Sequence, residues 1–131
     1  MGALILDASV LIGLLDRADA HHERAVNDVE AADLERRSLV TPASAYSESL
    51  VAFARSNRIA EAREAIAAMG IAVEPLTAVV AERAAQLRAE HGRLRLPDAI
   101  VLATARELGG ELLAYDDRLN TFARTNKTKR T

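Results

Sequence analysis

The sequence predicts a protein of the α/β class, in which helices cover both faces of a central parallel sheet. Short apolar runs such as Ala3–Leu6 alternate along the chain with longer segments of helical periodicity. Strands and helices that alternate in this way form strand–helix–strand units, whose strands pair in parallel. Half of the 131 residues are apolar, which suffices for a buried core, so we expect residues 1–131 to form a single domain.

Four short runs are predicted as the strands of this sheet. The first is apolar and ends at Asp7, and the last is separated from the preceding helix by the pair Gly109-Gly110. The predicted strands are Ala3–Leu6, Ser38–Thr41, Ile71–Val73 and Glu111–Ala114.

Seven segments are predicted as helices, most of them because apolar residues recur at spacings of three and four. Asp19 and Thr77 are predicted to cap two of them, Pro42 suits the first turn of another, and Gly70 is expected to end a fourth. The sixth helix is apolar nearly all round, so it should be deeply buried. The predicted helices are Ser9–Leu15, Ala20–Arg36, a helix after Pro42 that carries Tyr46, Leu50 and Phe53, Ile59–Met69, a helix from Thr77 that carries Val80 and Leu87, Leu96–Leu108 and Arg118–Ala123.

The composition excludes several classes of protein and of site. The chain has no cysteine, which removes disulfides, thiolate zinc sites and cysteine nucleophiles and agrees with a reducing compartment. The apolar start has no basic segment before it and stops at Asp7, unlike a secretion signal. No apolar run approaches the roughly 18 residues that span a bilayer. We therefore expect a soluble cytoplasmic protein without a membrane partner.

Charge is distributed unevenly along the chain. Residues 1–117 carry 12 Arg and 19 Asp or Glu, whereas residues 118–131 carry five basic residues and no acid. A basic tail over about residues 124–131 could attract nucleic acid. The alternative is a short polar terminus that is simply disordered.

Acidic residues lie where predicted strands and helices begin or end. Asp7 follows the first strand, Asp116 follows the last strand, and Asp98 opens the apolar sixth helix. The carboxyl ends of parallel strands share one edge of a sheet, which is where open α/β folds bind ligands. Carboxylates gathered there repel one another unless protons or cations intervene. Mg²⁺ prefers oxygen ligands and can activate a water for attack on a phosphodiester, so this pattern indicates a metal-dependent enzyme.

Each of these acids also has a purely structural interpretation. Asp7 could cap the helix that follows it. Asp98 follows Pro97, and this pair is common in a first helical turn, where a carboxylate interacts favourably with the helix dipole.

Two further positions also allow both a structural and a functional interpretation. Glu48 lies about 200° from Tyr46 around its helix, so periodicity places it towards solvent and it counts only if that face borders the cleft. Of Asp116 and Asp117, one is expected to cap the final helix, which leaves the other for a site.

Other site chemistries are less well supported. The three histidines, His21, His22 and His91, lack metal-ligand spacing with nearby acids, so we expect them at the surface. The chain has no glycine-rich phosphate loop. Arg93 and Arg95 lie in the loop before Asp98, where they either contact a substrate phosphate or are simply solvated.

The chain resembles a PIN-domain ribonuclease, in particular the VapC-type toxin of a type II toxin–antitoxin system. Four motifs carry this resemblance, in the order and at the spacing of the family and across nearly the whole chain. They are Leu4-Ile5-Leu6-Asp7-Ala8-Ser9, Ser47-Glu48-Ser49-Leu50, Leu96-Pro97-Asp98-Ala99 and Leu113-Ala114-Tyr115-Asp116-Asp117-Arg118-Leu119.

The resemblance implies a three-layer α/β/α sandwich and Mg²⁺- or Mn²⁺-dependent endonuclease action on RNA. It also implies a homodimer and inhibition by a cognate antitoxin protein that covers the cleft. By position, the catalytic and metal-binding acids would be Asp7, Glu48, Asp98 and Asp116, with Ser9 supporting Asp7. Ala114 departs from the family pattern, which often has Thr or Ser there, so the support of Asp116 is in question and Asp117 could share its role.

Two hypotheses of different classes follow. The first is a metal-dependent endoribonuclease toxin, and the second is a catalytically inactive PIN-like module that binds RNA or a protein partner. The helical pair over residues 43–69 presents Tyr46, Phe53, Ile59 and Ile66, which form either a dimer face or part of the core. No motif in the sequence identifies the RNA target.

Overall fold

The computed structural model describes residues 2–129, with side chains as far as Arg124. Strands and helices alternate in this range as the apolar pattern predicts. The elements are β1 (Leu4–Leu6), α1 (Ala8–Leu15), α2 (His22–Leu34), β2 (Leu39–Pro42), α3 (Ala43–Arg55), α4 (Ile59–Ala68), β3 (Ile71–Glu74), α5 (Ala78–Glu90), α6 (Leu96–Glu107), β4 (Glu111–Leu113) and α7 (Asp117–Lys129).

The four strands form one parallel sheet in the order β3-β2-β1-β4. From β1 the chain first builds outwards through β2 to β3, and it later returns to add β4 on the other side of β1. The order therefore reverses between β1 and β4. In open α/β sheets, ligands bind in the crevice outside the carboxyl ends of the strands at such a point.

Helices cover both faces of this sheet. On one face, Leu4 and Leu6 of β1 pack in a core cluster with residues of α1, α2 and α4. On the other face, Leu112 of β4 packs against clusters formed by α5, α6 and α7 and by α3 with α6. Neighbouring strand residues point to opposite faces, so β4 contributes to both layers. The predicted three-layer α/β/α sandwich is confirmed.

Several local predictions are confirmed by the helix ends. The hydroxyl of Thr77 accepts a hydrogen bond from the backbone N–H of Val80 at 3.2 Å and so caps α5. Gly70 follows α4 with φ of 75°, a left-handed conformation that glycine adopts without steric cost. In α6, all residues from Val101 to Ala105 are buried, as the apolar composition of this helix predicts.

Other local predictions are wrong. His21, not Asp19, occupies the N-cap of α2, and the Asp19 carboxylate accepts a hydrogen bond from the backbone N–H of His21 at 3.0 Å. Pro42 ends β2 and directly precedes α3 instead of lying in its first turn. The three histidines are half-buried instead of lying freely at the surface, because each packs against the fold; for example, the ring of His91 lies edge-on to Phe122.

The last helix is longer than predicted, since α7 runs from Asp117 to Lys129 and not only to Ala123. It therefore includes most of the basic tail. The side chains beyond Arg124, and residues 130 and 131 entirely, lie outside the described range. Disorder of the tail and its contact with RNA stay predictions. Within residues 2–129, no helix combines the length and the apolar character that crossing a membrane requires.

Candidate active site

The end of β1 is held from both sides, which fixes the backbone at Asp7. The backbone N–H of Asp7 donates to the carbonyl of Leu113 at the end of β4, at 3.0 Å. On the other side, the fully buried Thr41 of β2 donates its hydroxyl to the carbonyl of Leu6 at 2.8 Å. Asp7 is thereby placed at the crevice between β1 and β4.

The Asp7 side chain is bound by another side chain and does not cap α1. Its relative exposure is 9%, and it makes no capping hydrogen bond although it occupies the N-cap position. Instead, the Ser9 hydroxyl donates to Asp7 Oδ2 at 3.1 Å. The Ser9 oxygen in turn accepts the backbone N–H of Tyr115 at 3.0 Å. The predicted support of Asp7 by Ser9 thus has a geometric basis.

Burial makes the ionised form of Asp7 costly. Desolvation raises the pKa of Asp7, and the negative charge of Asp98 raises it further. The nearby backbone N–H groups of Ala8 and Ser9 and the Ser9 hydroxyl lower it, but desolvation is the largest cause. A cation at this position would offset the free-energy cost of desolvating the carboxylate and its repulsion from Asp98.

Asp98 is presented by the first turn of α6, directly after Pro97. Its side chain is 15% exposed and pairs with Arg95, whose Nε lies 3.3 Å from Asp98 Oδ2. Arg95 itself is 65% exposed. The negative charge of Asp98 is the main cause that raises the pKa of Arg95. The charges of Glu48 and Asp116 raise it to a smaller extent. Arg95 therefore acts as a cation at the mouth of an acidic cleft.

Glu48 borders the same cleft although it lies on the exposed side of α3. Partial burial of its carboxyl group raises the pKa of Glu48, and the charges of Asp7 and Asp98 raise it further. Solvent surrounds much of this side chain, so the feature that distinguishes Glu48 is its position near the charges of Asp7 and Asp98. Periodicity correctly places Glu48 towards solvent, and the tertiary fold brings that face to the cleft.

Asp116 and Asp117 differ in what they do at the start of α7. Asp116 Oδ1 accepts the backbone N–H groups of Arg118 at 2.9 Å and Leu119 at 3.4 Å, so Asp116 is the residue that caps the helix. The cap uses one of the two carboxylate oxygens of Asp116. The negative charge of Asp116 also raises the pKa of Arg95. Asp117 is the first residue of α7 and is exposed.

The loop that carries Arg93 and Arg95 is tied to α7. The Arg118 guanidinium donates to the carbonyl of Arg93. The side chain of Asn120 donates to the carbonyl of Ala114 at 2.9 Å, which orders the chain just before Asp116. These contacts connect the basic loop to the acid that follows β4.

The acidic cluster fits a divalent metal by its chemistry more clearly than by its spacing. The described residues include no group of three His, Cys, Asp or Glu side chains drawn close enough to enclose an ion. Mg²⁺, however, keeps several waters and is usually held by one or two carboxylates together with substrate phosphates. Asp7 and Asp98 supply such carboxylates, and Glu48 lies close enough to interact with both.

The sequence pattern assigns no role to three residues that make hydrogen bonds next to this site. Thr41 holds the end of β1, and the Tyr115 hydroxyl donates to the Asp28 carboxylate on α2 at 2.7 Å. Burial, followed by this hydrogen bond, raises the pKa of Tyr115, so its hydroxyl stays a donor. A polar residue at the end of a buried strand was a signal for Thr41. The hydrogen bond between Tyr115 and Asp28 joins residues far apart in sequence, so no local pattern indicated it.

Comparison with known proteins identifies the family to which the fold belongs. The PIN domain family model matches residues 4–127. No curated protein matches the chain significantly.

Solved structures share the fold. VapC20 of Mycobacterium tuberculosis, a Sarcin-Ricin loop cleaving toxin, has 21% identity and a TM-score of 0.71 over 91% of this chain and 94% of that one. A toxin–antitoxin complex from Klebsiella pneumoniae has 25% identity and a TM-score of 0.67 over 87% of each chain. VapBC2 of Rickettsia felis, bound to a DNA fragment from its promoter, has 10% identity and a TM-score of 0.73 over 92% of each. Since the family model extends from the first strand into the last helix, this chain belongs to the PIN domain family.

Proposed function

We propose that this protein is a Mg²⁺- or Mn²⁺-dependent endoribonuclease of the cytoplasm and the toxin of a toxin–antitoxin pair. The observation that carries the proposal is that Asp7, Glu48 and Asp98 lie near enough, at the crevice between β1 and β4, for the charge of Asp98 to raise the pKa of Asp7 and for the charges of Asp7 and Asp98 to raise the pKa of Glu48. A buried carboxylate whose pKa is raised by desolvation together with a neighbouring charge is typical of functional sites. Membership of the PIN family and the fold shared with VapC toxins support the same activity.

In this mechanism the acids have distinct tasks. Asp7 and Asp98 would hold the metal. Glu48 and Asp116 would provide further carboxylates near it at the mouth of the cleft. When bound, the ion supplies Lewis-acid activation of water and stabilises charge on the phosphodiester. The Ser9 hydroxyl orients Asp7 through its hydrogen bond to Oδ2. Glu48 is exposed and has a raised pKa, which suits a group that accepts a proton from the attacking water.

We further propose RNA as the substrate, a cognate antitoxin as inhibitor and a homodimer as the assembly. A cavity of about 390 Å³ has Glu48 in its lining and combines apolar side chains, among them Ile12, Leu15 and Phe53, with charged ones, Asp16, Arg17 and Arg58, a mixture that would suit an amphipathic antitoxin segment. Of the residues predicted for a dimer face, Ile66 is only 2% exposed and belongs to the core, whereas Ile59 is 40% exposed. The dimer stays a prediction.

Cleavage of RNA is expected to require both a divalent metal and Asp98. Purified protein, free of antitoxin, is incubated with structured RNAs in Mg²⁺ or Mn²⁺ and in EDTA. Asp98→Asn should reduce the rate by about 100-fold or more, because even groups that only support a metal ligand are worth 10–100-fold. Asp33→Asn makes the same chemical change at an exposed position near the end of α2 and should cut like the wild type.

The outcome separates the two hypotheses. Cutting that persists in EDTA or in Asp98→Asn would contradict the metal mechanism. If the folded protein cuts none of the RNAs and also fails to bind Mn²⁺, the chain is the inactive binding module. If it binds Mn²⁺ without cutting, the site is intact and the RNA target is missing from the panel.

Arg95 is expected to affect RNA and metal in opposite directions. Replacing Arg93 and Arg95 together with Ala should weaken RNA binding and reduce the slope of log affinity against log salt by about 1.4, since each phosphate contact to a single strand contributes about 0.7. Arg95→Ala alone should leave Mn²⁺ affinity intact or tighten it, because a cation 3.3 Å from Asp98 competes with the metal. Arg88→Ala removes one charge at an exposed position on α5 and is the charge-matched control for Arg95→Ala. An unchanged affinity and salt slope would refute the RNA contact.

A further inference from the structure

We propose that Tyr115 and Asp28 act as a positioning pair for the active site, holding Ser9 and Asp7 in the geometry that binds metal. Neither residue touches the reacting atoms, so the pair would act through the residues between them and the metal. The inference rests on the proposed function and adds two residues to it. It depends on three hydrogen bonds, two of them made by opposite ends of Tyr115, that connect α2 to the acid at the end of β1.

Tyr115 links these hydrogen bonds because it is bound at both ends. Its hydroxyl donates to Asp28 Oδ2 at 2.7 Å, and its backbone N–H donates to the Ser9 oxygen at 3.0 Å. Ser9 then donates its hydroxyl proton to Asp7 Oδ2 at 3.1 Å. Residues of α2, of the segment after β4 and of α1 are thereby joined in one series.

The order of donors fixes the direction of the Ser9 hydroxyl. A serine hydroxyl has one proton, and its oxygen can accept as well. Because the Ser9 oxygen already accepts the N–H of Tyr115, its proton is left for Asp7. Movement of the Tyr115 backbone would remove that acceptor contact and free the hydroxyl to rotate away from the carboxylate.

The Tyr115 side chain is held firmly enough to act as an anchor. The Arg24 guanidinium carbon lies 4.4 Å from the centroid of the Tyr115 ring, and the centroid of the His21 ring lies 5.0 Å from it. Both residues are at the start of α2. Asp28 is one further turn along α2, so this helix contacts the ring and the hydroxyl together. Tyr115 also directly precedes Asp116, so the same anchor fixes the backbone that carries a second candidate acid.

The test measures Mn²⁺ affinity by isothermal titration calorimetry on the full chain, independently of cleavage. Tyr115→Phe keeps the ring and loses the hydroxyl, and Asp28→Ala loses the acceptor. Each should weaken Mn²⁺ binding by about threefold to tenfold, at or below the range for groups that support a metal ligand directly. The double variant should be no weaker than the weaker single variant, since both changes break one contact. Asp28→Asn keeps an acceptor oxygen and should bind Mn²⁺ within about twofold of the wild type.

A stability-matched control separates positioning from a general loss of structure. Thr77→Ala removes the cap of α5, which follows β3 at the opposite edge of the sheet from β4, and costs about 1 kcal/mol of stability. It should leave Mn²⁺ affinity unchanged. Wild-type affinity in Tyr115→Phe, an equal loss in Thr77→Ala or no rescue in Asp28→Asn would overturn the inference while the nuclease proposal stands. A wild-type chain that binds no Mn²⁺ would overturn both.

Discussion

Replacing Asp7 with asparagine is expected to abolish metal-dependent cleavage without destabilising the fold. The change removes a charge next to which a divalent ion would bind, so activity should fall by about 100-fold or more. The same change removes a carboxylate that is only 9% exposed and whose pKa is raised chiefly by burial. An amide avoids the cost of desolvating that charge, so the melting temperature at neutral pH should stay the same or rise.

The pH dependence of stability provides a second signature of Asp7. Because its folded pKa is raised, the folded chain binds more protons than the unfolded chain at pH values between the unfolded pKa, about 3.9, and the folded pKa. The contribution of Asp7 to stability is therefore fully present below the unfolded value and is lost as pH rises through the folded value. Glu48, whose pKa is also raised, contributes in the same direction.

Unfolding by denaturant, followed across pH 3–8 with and without Mn²⁺, would measure this dependence. In the wild type, Mn²⁺ should raise stability at neutral pH and lose its effect in acid, because metal binding requires the ionised carboxylates. Asp7→Asn should show a smaller loss of stability between acid and neutral pH and little response to Mn²⁺. The exposed Asp33→Asn should follow the wild type. A clear destabilisation by Asp7→Asn at neutral pH would show that the carboxylate mainly supports the fold.

The sequence predicts the sheet and three of the four acids for a simple physical reason. In a parallel sheet the strands are buried on both faces, so they appear as short apolar runs, and the residues just after them lie at one edge. Asp7 and Asp116 follow such runs, and Asp98 begins a helix whose buried character is visible in its composition. These features depend on neighbours in sequence, which is why the pattern reveals them.

The remaining features depend on contacts between distant segments. Helical periodicity correctly assigns Glu48 to the exposed side of α3, but only the packing of α3 beside α1 and α6 shows that this side borders the cleft. The hydrogen bond from Tyr115 to Asp28 spans 87 positions in the sequence. Likewise, the choice between Asp116 and Asp117 as the cap of α7 is set by the backbone at the end of β4, which composition does not encode.

Gly110→Ala is expected to destabilise the fold by about 1–3 kcal/mol, the usual cost of forcing an extra group into a packed interior. A Cβ atom at Gly110 would lie 2.8 Å from the carbonyl oxygen of Ala3 and 2.8 Å from Cγ1 of Ile5. The Ala3 oxygen is not free to move, because it accepts the backbone N–H of Glu111 at 2.9 Å and so begins the pairing of β1 with β4. Relief of the clash therefore requires the two strands to separate locally.

Gly92→Ala is the matched control for this substitution, because a Cβ atom there meets no other atom within 4 Å. Both changes add one methyl group to a glycine that does not require a left-handed backbone, so only the close approach differs between them. Chemical denaturation should show Gly92→Ala within about 0.5 kcal/mol of the wild type or slightly above it, as for surface changes and for glycines replaced without strain. Equal stability of the two variants would mean that β4 can move away from β1 at little cost. The pairing of these strands could then not be what fixes Asp7 beside the end of β4.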